Sequence, residues 1–184
     1  KQGANIVLNG FGDHAGPEAE IAALGAKVAY HGADMSKPAE IEAMVKFAQE
    51  KFGSVDILVN NAGIQHVARL EEFPEQKWQQ LLQVMLTGPA MLSKALLPGM
   101  RARNFGRIIN IGSIAGKEVY PNGNVYCASK HAVDAINKGM KQDLNPYGVK
   151  VTAINPGLVE TEFSEVRFKG CCFLHRASDV KRYA

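Results

Sequence analysis

Strand-length apolar runs alternate with longer segments of helical period along most of this chain, and that alternation leaves few architectures open. The runs are Asn5–Asn9, Lys27–Tyr30, Asp56–Asn60, Arg107–Ile111 and Lys150–Asn155, most of them ending in Gly, Asn or Pro. Helical period fills the intervals near 16–24, 38–52, 75–103 and 124–147. Repeated βαβ units wind a parallel sheet whose strands are covered on both faces, so they read as continuous apolar runs. The expected fold class is α/β, a doubly wound parallel sheet of the Rossmann type. Pro38 suits the first turn of the second helix and Gly53 its end, while Thr87-Gly88-Pro89 should kink the third.

At 184 residues and 46% hydrophobic, the chain is long enough for one core without disulfides or metal, and a single domain over 1–184 is expected. The Lys and Arg behind its net charge of +3 are scattered, which gives no footprint for nucleic acid. No apolar stretch exceeds strand length and no charged head precedes an apolar run, so no membrane partner and a cytoplasmic location are expected. Cys127, Cys171 and Cys172 lack CxxC spacing and read as free thiols; the five histidines lack metal spacing. Arg101, Arg103 and Arg107 surround a helix end, where cations offset the helix dipole, an anion site being the less frequent alternative.

The ends depart from a whole Rossmann sheet. Lys1-Gln2-Gly3-Ala4 reads as the end of a helix running straight into a strand. Gly10, Gly12 and Gly16 come closest to a phosphate-binding glycine pattern but lack its context. The reading is therefore a sheet without its first strand and glycine-rich loop, N-terminally truncated by about 25–35 residues. Residues 171–184 show no apolar period.

Three positions carry chemistry by their spacing. Ser113 follows the Arg107–Ile111 strand, Tyr126 comes thirteen residues later, and Lys130 lies one helical turn beyond it. An ammonium on the same helix face favours phenolate and draws the tyrosine pKa down from about 10, which makes Tyr126 a usable acid or base. The serine hydroxyl at the strand tip can hold a substrate oxygen meanwhile. YxxxK is also common by chance, and a tyrosine so placed can simply pack. Asn60-Asn61-Ala62-Gly63 and Pro156-Gly157 each follow a strand, at the carboxyl ends where such sheets bind ligands.

This set of NNAG, Ser, YxxxK and PG, in this order and spacing, resembles the short-chain dehydrogenase/reductase family up to about Gly170. The resemblance implies an NAD(P)-dependent oxidoreductase that interconverts a secondary alcohol and a ketone. Tyr126 is then the acid/base, Lys130 lowers its pKa and holds the nicotinamide ribose, and Ser113 orients the reacting oxygen. Cofactor-supporting roles fall to Phe11, Asp34, Asn60, Ala62, Gly63, Pro156, Gly157 and Thr161, with Asp34 near the adenine. A homo-oligomer, tetramer or dimer, is implied as well. So is a vacant slot between the Asn5–Asn9 and Asp56–Asn60 strands, where the family's first strand runs. Met85 stands where the family has an asparagine that holds a relay water, which leaves a non-catalytic binding or scaffold protein on the same fold as the alternative.

Within the family, GANIVLNGFGD, YHGADMSKPAEIEAMV, GIQHV and EEFPEQKW resemble the bacterial D-3-hydroxybutyrate dehydrogenases, whereas YPNGNVY and NPGLVETEFSEVRFKG are more similar to NADP-dependent 3-hydroxy acid (serine-type) dehydrogenases. Both imply a small 3-hydroxy acid as substrate. The carboxylate-binding His and Lys of the first group would lie near Ala115 and Gly123 and are absent, so Gln65, with Ser113 and Tyr126, is left to meet the substrate. NAD is the expected cofactor and NADP the alternative, because Gly10-Phe11-Gly12-Asp13 offers an acid rather than a cation where a 2′-phosphate would bind.

Overall fold

Apolar runs pair in parallel where a helix can return the chain to the same end of a sheet, and the elements alternate accordingly. The computed structural model describes residues 3–157. In order they form β1 (Ile6–Leu8), α1 (Ala15–Ala23), β2 (Val28–Tyr30), α2 (Pro38–Phe52), β3 (Ile57–Asn60), α3 (Glu75–Leu82), α4 (Gly88–Ala102), β4 (Gly106–Ile111), α5 (Asn124–Asp143) and β5 (Val149–Ile154). Thr161, Cys171, Cys172 and the tail over 171–184 lie outside the described residues.

All pairings are parallel, as expected, but they divide into two sheets with strand orders β1-β2 and β3-β4-β5. No ladder joins β1 to β3, the two strands between which the slot was expected. Ile57 and Val59 on β3, a terminal strand of its sheet, are half exposed.

The main core is built by helix faces closing on the three-stranded sheet. Pro38 opens α2, and Gly53 closes it at φ 82°, a conformation natural to glycine. Its buried Ile41, Met44, Val45 and Ala48 recur at helical spacing, and the first three join Leu92, Leu96 and Met100 of α4 and Leu58, Ile108 and Val151 of the sheet in one cluster. That cluster begins, in sequence, at Ala33. No residue of β1, α1 or β2 is buried.

The rod over 75–103 is interrupted differently from the expected proline kink. Gln83–Thr87 forms a π-helical turn between α3 and α4, and Pro89 falls at the start of α4, where a missing N–H costs little. Gly88 is required there: a Cβ would come 2.5 Å from the Met35 carbonyl oxygen. Glu75–Ala102 is long and apolar enough to cross a membrane, yet Leu81, Met85, Leu92, Leu96 and Met100 along it are buried in protein. The final helix stops at Asp143 rather than near 147, because Pro146 disfavours helical backbone at the residue before it.

Candidate active site

Helix α5 delivers the tyrosine and lysine from one buried face. Tyr126 packs with Leu81, Met85, Ala115, Val125 and Cys127, and Lys130 lies one turn on, its Nζ 5.7 Å from the centroid of the Tyr126 ring. The Lys130 ammonium donates to the carbonyl of Ile111, the last residue of β4, at 2.8 Å. That carbonyl takes one of the ammonium's three donors. Burial disfavours the charged form and pushes the Lys130 pKa down to about 8, which still leaves it mainly protonated at neutral pH.

Ser113 is set two residues beyond the same strand end. Its Oγ accepts from the Ala115 N–H at 3.1 Å and caps a short 3-10 turn, Ile114–Gly116, leaving the hydroxyl proton for another partner. The turn is tied to the Pro156-Gly157 segment by the Gly112 N–H to Ile154 O and the Ile114 N–H to Pro156 O. It also presses on α5, since a Cβ at Gly116 would come 2.8 Å from the Lys130 carbonyl oxygen. Gly116→Ala is therefore expected to cost about 1–3 kcal/mol by levering the turn off Lys130. Urea unfolding measures it; an unchanged midpoint would show that the turn yields freely.

Asn60 ends β3, and Asn61, Ala62 and Gly63 after it are exposed at the carboxyl end of the sheet. The sheet thus brings Asn60, Ser113, Lys130 and Pro156 to one rim. Asp34 follows β2, in the other sheet. Its carboxylate accepts from the Ser36 hydroxyl and N–H, which hold its pKa below the usual carboxylate range. Phe11, after β1, is 77% exposed. Asp13 uses Oδ1 on the Ala15 N–H at the start of α1.

Gln65 lies near the Tyr126 cluster through Tyr120, to whose hydroxyl its Nε2 donates at 2.5 Å; its own Oε1 is buried without a partner. Ala115 is buried, and Tyr120 crowds Gly123, so neither position has room for a basic side chain. Met85 is buried in the π-helical turn with its sulfur 3.9 Å from Ser129 Oγ. The arginines have structural duties: Arg101 bonds and stacks on Tyr147, Arg103 meets Asp56 and the Val55 carbonyl, and Arg107 bonds the Gly106 and Gly148 carbonyls.

The sequence reading missed the buried polar residues beneath this rim. Asn110, Asn137 and Ser93 are each under 5% exposed. A polar residue at an inward strand position, and another seven residues past Lys130 on the helix, were the available signals.

Comparison with known proteins places this rim in context. The profile of the short chain dehydrogenases matches residues 1–171. D-beta-hydroxybutyrate dehydrogenase of Cupriavidus necator is 47% identical over 162 residues, covering 87% of this chain and 63% of the relative. The chain thus spans a little under two thirds of that protein's length. A gluconate 5-dehydrogenase of Burkholderia cenocepacia, solved with NADP and tartrate, superposes with a TM-score of 0.83 at 33% identity, covering 93% of this chain and 68% of that one. The closed form of serine dehydrogenase with NADP+ gives 0.81 at 37% identity, covering 92% and 69%.

Proposed function

The chain belongs to the short-chain dehydrogenase family, and from that premise we propose that it interconverts a secondary alcohol and a ketone with a nicotinamide cofactor, on a small 3-hydroxy acid such as 3-hydroxybutyrate. One observation carries the reading: Tyr126 and Lys130 lie a turn apart on the buried face of α5, with the lysine anchored to the strand that leads to Ser113. In the oxidative direction Tyr126 takes the substrate hydroxyl proton. The neighbouring ammonium favours the phenolate that receives it, and the Ser113 hydroxyl steadies the reacting oxygen.

The residues present fit a dinucleotide. An ammonium with donors beyond the one given to Ile111 suits ribose hydroxyls, and the exposed Ala62 and Gly63 let a ligand approach the backbone. Lys130, Asn60, Ala62, Gly63, Pro156 and Gly157 would hold its nicotinamide side, Phe11 and Asp34 its adenosine side. When bound, the cofactor supplies or accepts the hydride. We favour NAD over NADP, since the acid at Asp13 and the lack of a cation beside Phe11 disfavour a 2′-phosphate. The similar structures hold NADP and cover both halves of this chain, so the preference for NAD rests on the residues after β1 alone. Support for the substrate comes from the similarity to D-beta-hydroxybutyrate dehydrogenase.

Met85 favours a second reading, binding without turnover, because a thioether in an apolar cluster holds water poorly. Acetoacetate-dependent oxidation of NADH separates the two. Turnover is expected, with NAD binding tighter than NADP by calorimetry. Absence of oxidation with any short 3-oxo acid and either reduced cofactor would sink the enzymatic reading, and tighter NADP binding would reverse the cofactor preference.

A further inference from the structure

A chain of side-chain hydrogen bonds crosses beneath the rim from the sheet to the catalytic helix. Asn60 Nδ2 donates to Asn110 Oδ1 at 2.8 Å, and Asn110 Nδ2 donates to Asn137 Oδ1 at 3.0 Å. Ser93 of α4 stands 3.4 Å from Asn60 Nδ2 and donates to the Pro89 carbonyl. Asn60 and Asn110 are register partners on β3 and β4, so their side chains share a face. Asn137 lies two helical turns past Lys130 and therefore faces the same strand.

Apolar side chains of similar volume would fill this layer without the desolvation that buried amides suffer. What amides add is direction: their contacts hold only within a narrow range of distance and angle, whereas apolar surfaces slide. Helix α5 meets β4 at two such points on neighbouring residues, Lys130 on the Ile111 carbonyl and Asn137 on the Asn110 amide.

We propose that Asn137 is a positioning residue, whose bond to Asn110 fixes the height of α5 over β4 and so the place where the Lys130 ammonium sits beside Tyr126. Held only at Lys130, the helix could shift along the strand end, and the ammonium would trade the Ile111 carbonyl for water. The proposal rests on the reading of Lys130 as the group that tunes Tyr126, but its readout needs no turnover.

The test is an NMR titration of the Lys130 side chain in the ligand-free protein, comparing Asn137→Leu with the parent. Burial alone accounts for the lowered Lys130 pKa, with Tyr126 its titratable neighbour on the helix, so loss of position reads as hydration. The midpoint is expected to rise by about one unit toward the usual lysine value of about 10.4. Leu144→Ala is the control: it loosens the end of the same helix, packed in the main core, away from the cavity that Asn110 and Ser93 line, and should leave the midpoint in place. Should Leu prevent folding, Asn137→Ala takes its place, and failure of both to fold would make Asn137 merely structural and overturn the proposal. So would an unmoved midpoint in a folded Asn137 variant, or an equal shift in Leu144→Ala. A protein that oxidises no NADH with 3-oxo acids yet shows the Asn137 shift would refute the enzymatic reading and leave the positioning role standing.

Discussion

Tyr126→Phe is expected to lower acetoacetate-dependent oxidation of NADH by roughly 10²–10⁴-fold, the usual loss when a positioned acid/base is removed. The substitution deletes one oxygen and keeps the ring that packs with Leu81, Met85 and Val125, so the protein should still fold and bind the dinucleotide. Steady-state rates beside calorimetric affinity measure both. Retention of more than about a tenth of the rate would remove Tyr126 from the chemistry.

Replacing Lys130 should act on rate and on stability at different pH. In Lys130→Met the phenol loses its charged neighbour, and the rate at pH 7 should collapse, recovering only as alkali ionises Tyr126 directly. The stability effect has the opposite pH window. The folded lysine titrates at about 8 and the unfolded one at 10.5, so between those values the unfolded chain binds the extra proton. Unfolding free energy therefore rises with pH across that window, by about 3 kcal/mol in all, and below pH 8 the burial cost of the ammonium is present in full. Lys130→Met should lack this rise. Denaturant unfolding of both proteins from pH 7 to pH 10.5 decides it: parallel curves would mean that Lys130 is hydrated in the folded protein.

Much of the strand pattern was legible because each run from Ile6–Leu8 to Val149–Ile154 is short, apolar and followed by turn-forming residues such as Gly, Asn or Pro. The site was legible through i, i+4 spacing at Tyr126 and Lys130 and through turn residues at strand ends. The π-helical turn at Gln83–Thr87 was not, since a one-residue widening leaves apolar period nearly intact and Pro89 drew the expected distortion toward itself. Nor was the amide chain: Asn110 in a strand looks like an intrusion, and only the Asn60–Asn110 register and the fall of Asn137 on the same face give it a partner on each side. The absence of a Lys or His at Ala115 and Gly123 could be read from sequence, but the Gln65–Tyr120 bond that occupies this side needed coordinates.

β1, α1 and β2 contribute only partly buried side chains and are tied to the main core through contacts such as the Asn9 Nδ2 bond to the Ala33 carbonyl, so residues 6–30 are expected to form a unit that opens more readily than the main core. The proposed adenosine contact Phe11 lies in that unit, while Lys130 and Asn60 belong to the other. The measured dissociation constant for a dinucleotide is then the intrinsic one divided by the fraction of molecules in which the weaker unit is closed. Any substitution that shifts this fraction changes apparent affinity without touching the ligand.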